Sequence, residues 1–144
     1  MSQPIVLDAA GLDELSKTRP TDAFRALLKE AWKRDREVFV PAVVCAELAR
    51  GVKRTRALEA ALSRHDGTSG QPPVSIVDTD FDLARLVGSI LFAANVGTED
   101  LVDAHVVAVC SMHQGGLVVT ADPDDIHRLA QAVPAVRVVT RSPA

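Results

Sequence analysis

The sequence predicts an α/β fold, a three-layer sandwich in which helices flank a parallel five-stranded sheet. Five short runs of β-branched and aliphatic residues have the length of strands, and segments with helical spacing lie between them. Most of these runs lack alternation of apolar and polar residues, which is typical of parallel strands covered on both faces. Strands that alternate with helices indicate right-handed crossover units in a single sheet.

The strands and the clearest helices follow the chain in order. The predicted strands are residues 5–7, 38–40, 75–77, 117–119 and 136–139. Apolar residues three and four positions apart predict a helix from Phe24 to Trp32 and another from Leu83 to Ala94. A shorter helical pattern covers residues 58–62. Helices therefore separate most neighbouring strands, as the crossover topology requires.

Capping signals predict two further helices. Pro41 fits the first turn of a helix that runs to Gly51. Thr98 fits the N-cap of a helix over about residues 99–114, which Gly115 and Gly116 would end. Both helices follow or precede predicted strands directly, so their residues lie close to the sheet.

A last helix begins after the fourth strand, where Asp122 and Pro123 form an N-terminal signal, and extends to about residue 133. Residues 66–73 are rich in glycine, proline and small polar side chains, and we interpret them as a surface connection. No composition shift marks a domain boundary. We therefore expect one domain over residues 1–144.

Composition excludes several classes of protein. The 144 residues are 47% hydrophobic and 24% charged, which excludes collagen-like, disordered and disulfide-scaffold chains. No apolar run approaches the roughly 20 residues of a membrane span, and no basic region precedes the first apolar stretch as in a signal peptide. Cys45 and Cys110 lack metal-ligand spacing, so we expect buried thiols in a reducing cytoplasm, with no membrane partner.

Two aspartates follow strands. Asp8 comes directly after the first predicted strand, and Asp122 comes shortly after the fourth. Open parallel sheets bind ligands at the carboxyl ends of their strands. If the first and fourth strands are neighbours, both carboxylates point into the same crevice. Each also has a structural interpretation, because Asp8 fits an N-cap and Asp122 fits a helix start.

Two further acids interrupt apolar helices. Glu47 lies in the helix after the second strand, and Asp103 lies in the helix that precedes the fourth. A carboxylate on an apolar face needs a partner, a cap or a metal ion, since burying it alone is costly. Asp100 lies one helical turn before Asp103, where the helix dipole alone also explains an acid.

Four acids from four segments predict a metal site. Carboxylates within a few ångströms raise each other's pKa, and a divalent cation removes that repulsion. A set of carboxylate oxygens favours Mg²⁺ or Mn²⁺ over zinc. Such a site supports hydrolysis of phosphodiester bonds, because the metal ion activates water and neutralises charge on the phosphate.

The sequence resembles the PIN-domain family, in particular the ribonuclease toxins of VapC-type bacterial toxin–antitoxin pairs. Four segments in order carry the likeness, which spans nearly the whole chain: residues 5–9, 40–48, 100–108 and 118–126. The resemblance implies a strand order of 3-2-1-4-5 and endoribonuclease activity that depends on Mg²⁺ or Mn²⁺. It also implies an RNA substrate, a homodimer and a cognate VapB-like antitoxin.

The resemblance also implies the site residues. Position by position, the four core acids that would bind metal and act in catalysis are Asp8, Glu47, Asp103 and Asp122. Thr120 matches the hydroxyl of the family's Thr-x-Asp motif and would orient a ligand or a water molecule. Asp100 and Asp125 match positions that are acidic in some relatives, and they are candidates for further metal ligands.

Two alternatives to a nuclease remain. The first is a non-catalytic PIN-like binding or regulatory module, since Ala9 and Ala10 follow Asp8 where many relatives carry a hydroxyl. The second is a receiver-like phosphoacceptor domain, which shares the architecture. That class requires paired early acids and a lysine near the last strand, whereas this chain has Asp8 alone and Arg137 and Arg141.

Basic residues lie close to Glu47 in the sequence. Arg50, Lys53 and Arg54 are either a solvated helix face or a surface that contacts RNA or the antitoxin. The net charge of −3 hides an uneven distribution, because residues 1–72 hold 12 Lys and Arg against 10 Asp and Glu. Residues 73–144 hold 4 against 9. The acidic excess therefore accompanies the proposed metal ligands, beside a basic flank.

Overall fold

A parallel sheet of five strands forms the centre of the protein in the computed structural model, which describes residues 3–68 and 70–144. The strands are β1 (Ile5–Leu7), β2 (Val38–Pro41), β3 (Val74–Val77), β4 (Gly115–Val119) and β5 (Arg137–Arg141). Their order in the sheet is β3-β2-β1-β4-β5, and every neighbouring pair is parallel. The predicted fold class and strand order are confirmed.

Within the described residues, seven α-helices connect the strands. They are α1 (Ala9–Ser16), α2 (Asp22–Lys33), α3 (Ala42–Leu48), α4 (Val52–Arg64), α5 (Phe81–Ala94), α6 (Leu101–Met112) and α7 (Pro123–Ala130), and a 3₁₀ turn at Thr98–Asp100 precedes α6. Right-handed crossovers place α1–α4 on one face of the sheet and α5–α7 on the other. The contacts agree, since Ala23 and Leu27 of α2 line a cleft with Val139, while α7 hydrogen-bonds Thr140 through His127.

The core explains why three strands lack alternation. All residues of β1, β2 and β4 are buried, because helices cover both faces of the central strands. The edge strand β5 instead alternates between exposed and half-buried residues. The edge strand β3 is likewise only partly buried.

The first strand and the fourth strand are neighbours, which decides where the site forms. Leu7 of β1 pairs with Val119 of β4, so both strands end at the same level of the sheet. Asp8 follows directly, and its backbone N–H donates to the carbonyl of Val119 at 3.3 Å. The carboxyl ends of β1 and β4 therefore bring the segments that follow them together.

Two predicted helix boundaries around β2 differ from the structure. Pro41 is the last residue of β2 and caps α3 from outside, rather than lying in its first turn. The helix ends at Leu48 instead of Gly51, and Val52 begins a separate helix, α4. Gly51 has a positive φ of 90°, a conformation that interrupts helical hydrogen bonding.

The prediction around α6 also needs correction. Thr98 begins a 3₁₀ turn and makes no capping hydrogen bond to α6, which starts at Leu101 and ends at Met112. Gly115 and Gly116 are the first residues of β4 rather than a helix end. At Gly116 a Cβ atom would lie 2.9 Å from Sγ of Cys110, so glycine allows α6 to pack closely on the sheet.

The remaining differences are smaller. Helix α7 ends at Ala130 rather than near residue 133. The sequence predicts α1 only through the capping potential of Asp8. Cys110 is buried as expected, whereas Cys45 is half-buried. Across the described residues, the helices are too short or too polar to cross a bilayer.

Candidate active site

Asp8 holds a buried carboxylate at the carboxyl end of β1. It is only 7% exposed and caps α1, because the N–H of Gly11 donates to its Oδ1 at 3.0 Å. Burial raises the pKa of Asp8, although hydrogen bonds from Thr120, Gly11 and Ala10 oppose part of that increase. The N-cap interpretation of Asp8 is therefore correct, and it does not exclude a role in the site.

Thr120 connects the two segments that end at this edge. Its side chain is buried, hydrogen-bonds the carboxylate of Asp8 and accepts a hydrogen bond from the backbone N–H of Asp122 at 2.9 Å. The hydroxyl thus holds one acid and the backbone of another in fixed relative positions.

Asp103 lies in the first turn of α6 and faces the same region. Burial raises the pKa of Asp103 to about 6, and the negative charges of neighbouring aspartates contribute further. Those neighbours are Asp8, Asp125, Asp122 and Asp100. Five aspartates from four elements therefore repel one another at the carboxyl end of the sheet.

Three of these aspartates lie close enough to form a metal-binding group. One carboxylate oxygen from each of Asp100, Asp103 and Asp125 lies within 4.8 Å of the other two. Asp100 comes from the 3₁₀ turn, Asp103 from α6 and Asp125 from α7. Their hard oxygen donors fit Mg²⁺ or Mn²⁺. The sequence marked Asp100 and Asp125 only as further ligand candidates.

Asp122 lies at the start of α7, beside this group. Its side chain is exposed. A hydrogen bond with Asp125 is the largest cause of its raised pKa, and desolvation and the charges of Asp125 and Asp124 raise the pKa further. Asp8 and Asp122 border the three-aspartate group without being members of it. Both act on Asp103 through their charge.

Glu47 occupies a different environment from the one its sequence suggests. It lies near the end of α3 and is exposed, so the desolvation that would demand a partner is absent at this position. Helix α3 packs against α1 and α6, but Glu47 is not among the charges that raise the pKa of Asp103. Among the described residues, Glu47 does not join the three-aspartate group. Its part in the site stays a prediction.

Arg128 is the residue of this region that the sequence did not reveal. Its guanidinium donates to Asp100 at 3.1 Å and to Asp125 at 3.2 Å, and these charges raise its pKa. The spacing from Asp125 is i,i+3 within α7 and is readable from the sequence. The contact with Asp100 spans 28 positions and depends on the packing of α7 against α6.

The basic residues after Glu47 lie at a second groove. Lys53 and Arg54 line a cavity of about 360 Å³ between α1 and α4, where Leu48 and Leu58 form an apolar wall. Arg50 is exposed nearby, at the loop between α3 and α4. The groove thus combines positive charge with apolar surface.

The histidines do not join the acids. His105 is 4% exposed, and its Nδ1 lies 2.8 Å from the carbonyl of Leu101, one turn earlier in α6. His113 stacks on Phe39, and His127 hydrogen-bonds Thr140. Among the described residues, the grouped candidate ligands are therefore carboxylates.

Comparisons with known proteins agree with this architecture. The family model described as "PIN domain" matches residues 12–132, well over half of the chain. No curated protein sequence matches the chain.

Two solved structures share the fold at low sequence identity. FitAcB from Neisseria gonorrhoeae is 19% identical with a TM-score of 0.60, and the match covers 96% of this chain and 97% of that chain. VapBC2 from Rickettsia felis, solved bound to a DNA fragment from its promoter, is also 19% identical with a TM-score of 0.61. That match covers 96% of this chain and 98% of the other.

Proposed function

The chain belongs to the PIN-domain family, and from that membership we propose that it is a metal-dependent endoribonuclease, the toxin of a toxin–antitoxin pair. The observation that carries the proposal is the convergence of Asp100, Asp103 and Asp125 within 4.8 Å, with the buried Asp8 beside them. The toxin assignment draws support from the similarity to FitAcB and VapBC2.

The cation that we propose is Mg²⁺ or Mn²⁺, held by Asp100, Asp103 and Asp125 and bordered by Asp8 and Asp122. When bound, such an ion activates water and neutralises charge on the scissile phosphate. The mutual repulsion of the aspartates supports this, because the ionised group is costly until positive charge balances it. Hydrolysis adds water across a P–O bond, so no redox cofactor is needed.

The other residues have positioning roles in this proposal. Thr120 keeps the carboxylate of Asp8 oriented toward the acids and leaves it ionised more readily than burial alone would allow. Arg128 balances part of the negative charge through Asp100 and Asp125. In this proposal Glu47 supplies a further carboxylate from α3, where its side chain is exposed.

We also assign each proposed partner to a surface of the molecule. Arg50, Lys53 and Arg54 contact RNA or the antitoxin beside the groove between α1 and α4. A second copy of the chain packs on α5, where Phe81 is 77% exposed and Phe92 is 89% exposed. Such large exposed aromatic rings are typical of interaction surfaces. The protein acts in the cytoplasm, where its RNA substrate and its antitoxin are found.

Cleavage of RNA by the purified protein tests the proposal. We expect cleavage with Mg²⁺ or Mn²⁺, none in EDTA, and a loss of at least about 100-fold in Asp103→Asn and in Asp8→Asn. Asp22→Asn is the control, because that side chain is 93% exposed and remote from the site. Circular dichroism checks that each variant is folded.

Two results would contradict the proposal. Cleavage that survives both substitutions would show that these aspartates do not act. Absence of cleavage together with absence of Mn²⁺ binding in calorimetry would favour the non-catalytic PIN-like module instead.

A further inference from the structure

A second basic surface lies away from the groove between α1 and α4. A cleft of about 490 Å³ separates α2 from the edge strand β5, and four arginines line it. They are Arg34, Arg36, Arg137 and Arg141. We call this the β5 cleft. Glu30 is the carboxylate that lines it among the described residues, so the cleft is strongly positive.

The arginines of the β5 cleft are only partly neutralised. Arg34 pairs with Glu30 at 2.6 Å, and Arg36 donates to the backbone carbonyl of Gln3. Arg137 and Arg141 have no hydrogen bond or ion pair from their side chains to the described part of the chain. Burial and the charges of Arg141 and Arg34 lower the pKa of Arg36. Crowded cations of this kind favour an anionic ligand.

The arrangement of β5 gives the cleft a direction. Arg137, Val139 and Arg141 alternate along the strand and share the face toward α2. Arg137 and Arg141 are therefore roughly 13 Å apart along the strand, at about 3.3 Å per residue. This length accommodates more than one phosphate of an extended nucleic-acid strand.

Arg141 lies at the carboxyl end of β5, the end of the sheet at which the aspartates lie, whereas the cleft itself opens on the face of α2, opposite to α6 and α7. Arg141 pairs with Val119, and its carbonyl accepts a hydrogen bond from the N–H of Thr120 at 2.9 Å. Thr120 in turn hydrogen-bonds the carboxylate of Asp8. Thr120 thus connects the backbone of Arg141 to Asp8, and at the same end of the cleft the hydroxyl of Thr21 donates to the carbonyl of Pro143 at 3.1 Å.

We propose that the β5 cleft binds the phosphate backbone of single-stranded RNA. The inference rests on the proposed function, since it concerns the same substrate. Apolar side chains of Ala23, Ala26 and Leu27 form the α2 wall and give a ribose or a base a surface to pack on. The proposed activity supplies RNA as the polyanion, and the spacing of Arg137 and Arg141 suits repeated phosphates, so we favour RNA over an acidic peptide as the occupant.

Salt-dependent binding of a labelled RNA tests the inference. A fluorescein-labelled single-stranded 12-mer is titrated with protein in EDTA, which prevents metal-dependent cleavage, and anisotropy is followed at several salt concentrations. For Arg137→Gln with Arg141→Gln we expect the slope of log K against log salt to decrease by about 1.4, since each lost phosphate contact removes about 0.7. Affinity at low salt should decrease about 10-fold or more.

Lys29→Gln with Lys33→Gln is the matched control. These lysines are exposed on α2 and do not line the cleft, so the same loss of charge should change the slope much less. An unchanged slope in the arginine variant would overturn the inference. Equal changes in both double variants would also overturn it, because binding would then respond only to net charge.

Two further measurements separate the possible failures. Cleavage of RNA by the wild type with Mn²⁺ is measured alongside. If the wild type cleaves RNA and the arginine variant binds RNA as tightly as the wild type, the β5 cleft is rejected and the nuclease proposal stands. Arginine-dependent RNA binding without any cleavage rejects the proposed nuclease and retains the cleft. A labelled glutamate 12-mer that binds more tightly than RNA, and loses binding in the arginine variant, would identify an acidic-peptide site and overturn the inference.

Discussion

At the scale of single residues, Asp103 shows how neighbours change the chemistry of a side chain. The sequence marks it because it interrupts an apolar helix, and the structure adds four other aspartates that act on it. Its pKa of about 6 results from burial and from charges on other elements. The position of Asp103 in a helix is predictable from the sequence, whereas the size of its pKa shift depends on how the helices pack.

The raised pKa of Asp103 predicts how stability depends on pH. Between the ordinary value of 3.8 and about 6, the folded chain binds a proton that the unfolded chain has lost. In the metal-free protein we therefore expect the free energy of unfolding to decrease as pH rises from about 4 to about 6. The raised pKa of Asp8 acts in the same direction.

Thermal denaturation in EDTA across this pH range measures the effect. Asp103→Asn should weaken the decrease and should stabilise the metal-free protein at neutral pH, because the amide carries no charge. Asp22→Asn is the control for an aspartate at the surface, since its side chain is 93% exposed and its ion pair with Arg25 is screened by solvent. Parallel curves for wild type and Asp103→Asn would contradict the assignment.

Glu47 and Arg128 show the limits of prediction for individual residues. Glu47 interrupts an apolar pattern much as Asp103 does, yet it is exposed on α3 while Asp103 is half-buried. Arg128 carries no signal beyond its spacing from Asp125, because its bond to Asp100 joins residues 28 positions apart. Exposure and long-range pairing depend on which helices meet, and a local pattern does not contain that information.

At the scale of elements, helix α1 positions Asp8 through its contact with β4. Gly11 makes that contact possible, because a Cβ atom there would lie 2.9 Å from the carbonyl oxygen of Val119. The same Cβ would lie 3.2 Å from the Cβ of Val119. Glu14, also buried, joins α1 to the start of α2 by accepting a hydrogen bond from the N–H of Thr21 at 2.9 Å.

Gly11→Ala is expected to destabilise the protein by about 1–3 kcal/mol, because backbone atoms must move to admit the methyl group. Asp8 precedes α1, so the shift should also weaken metal-dependent cleavage. Urea denaturation gives the stability, and cleavage assays give the activity. Unchanged values in both would show that α1 retains its position by another contact.

At the scale of the whole molecule, the exposed face of α5 predicts self-association. Phe81 and Phe92 are eleven positions apart, close to three helical turns, so they share one side of α5. Helix α5 packs against α6 and α7 with its opposite side. The outer face therefore presents two aromatic rings to solvent unless a second copy covers them.

Phe92→Glu should convert a dimer into a monomer, because a buried, unpaired carboxylate opposes association. Sedimentation velocity measures the change in mass. Val52→Glu is the control, since Val52 is 68% exposed on α4 and lies outside this face. A wild-type monomer, or a Phe92→Glu dimer of equal affinity, would contradict the prediction.

The sequence by itself determined the kinds and the order of the elements. Short β-branched runs and helical spacing are local properties, so the strands and most helices appeared at their places, and the resemblance supplied the strand order. The same local signals placed Asp8 and Asp122 after strands that end at one edge.

The tertiary structure alone decided which charges meet. It assembled Asp100, Asp103 and Asp125 from three elements, placed Arg128 against two of them, and left Glu47 exposed. It also gathered the arginines of the β5 cleft from the turn after α2 and from β5. Electrostatic interactions depend on distance in space and on burial, and the packing of helices on the sheet determines both.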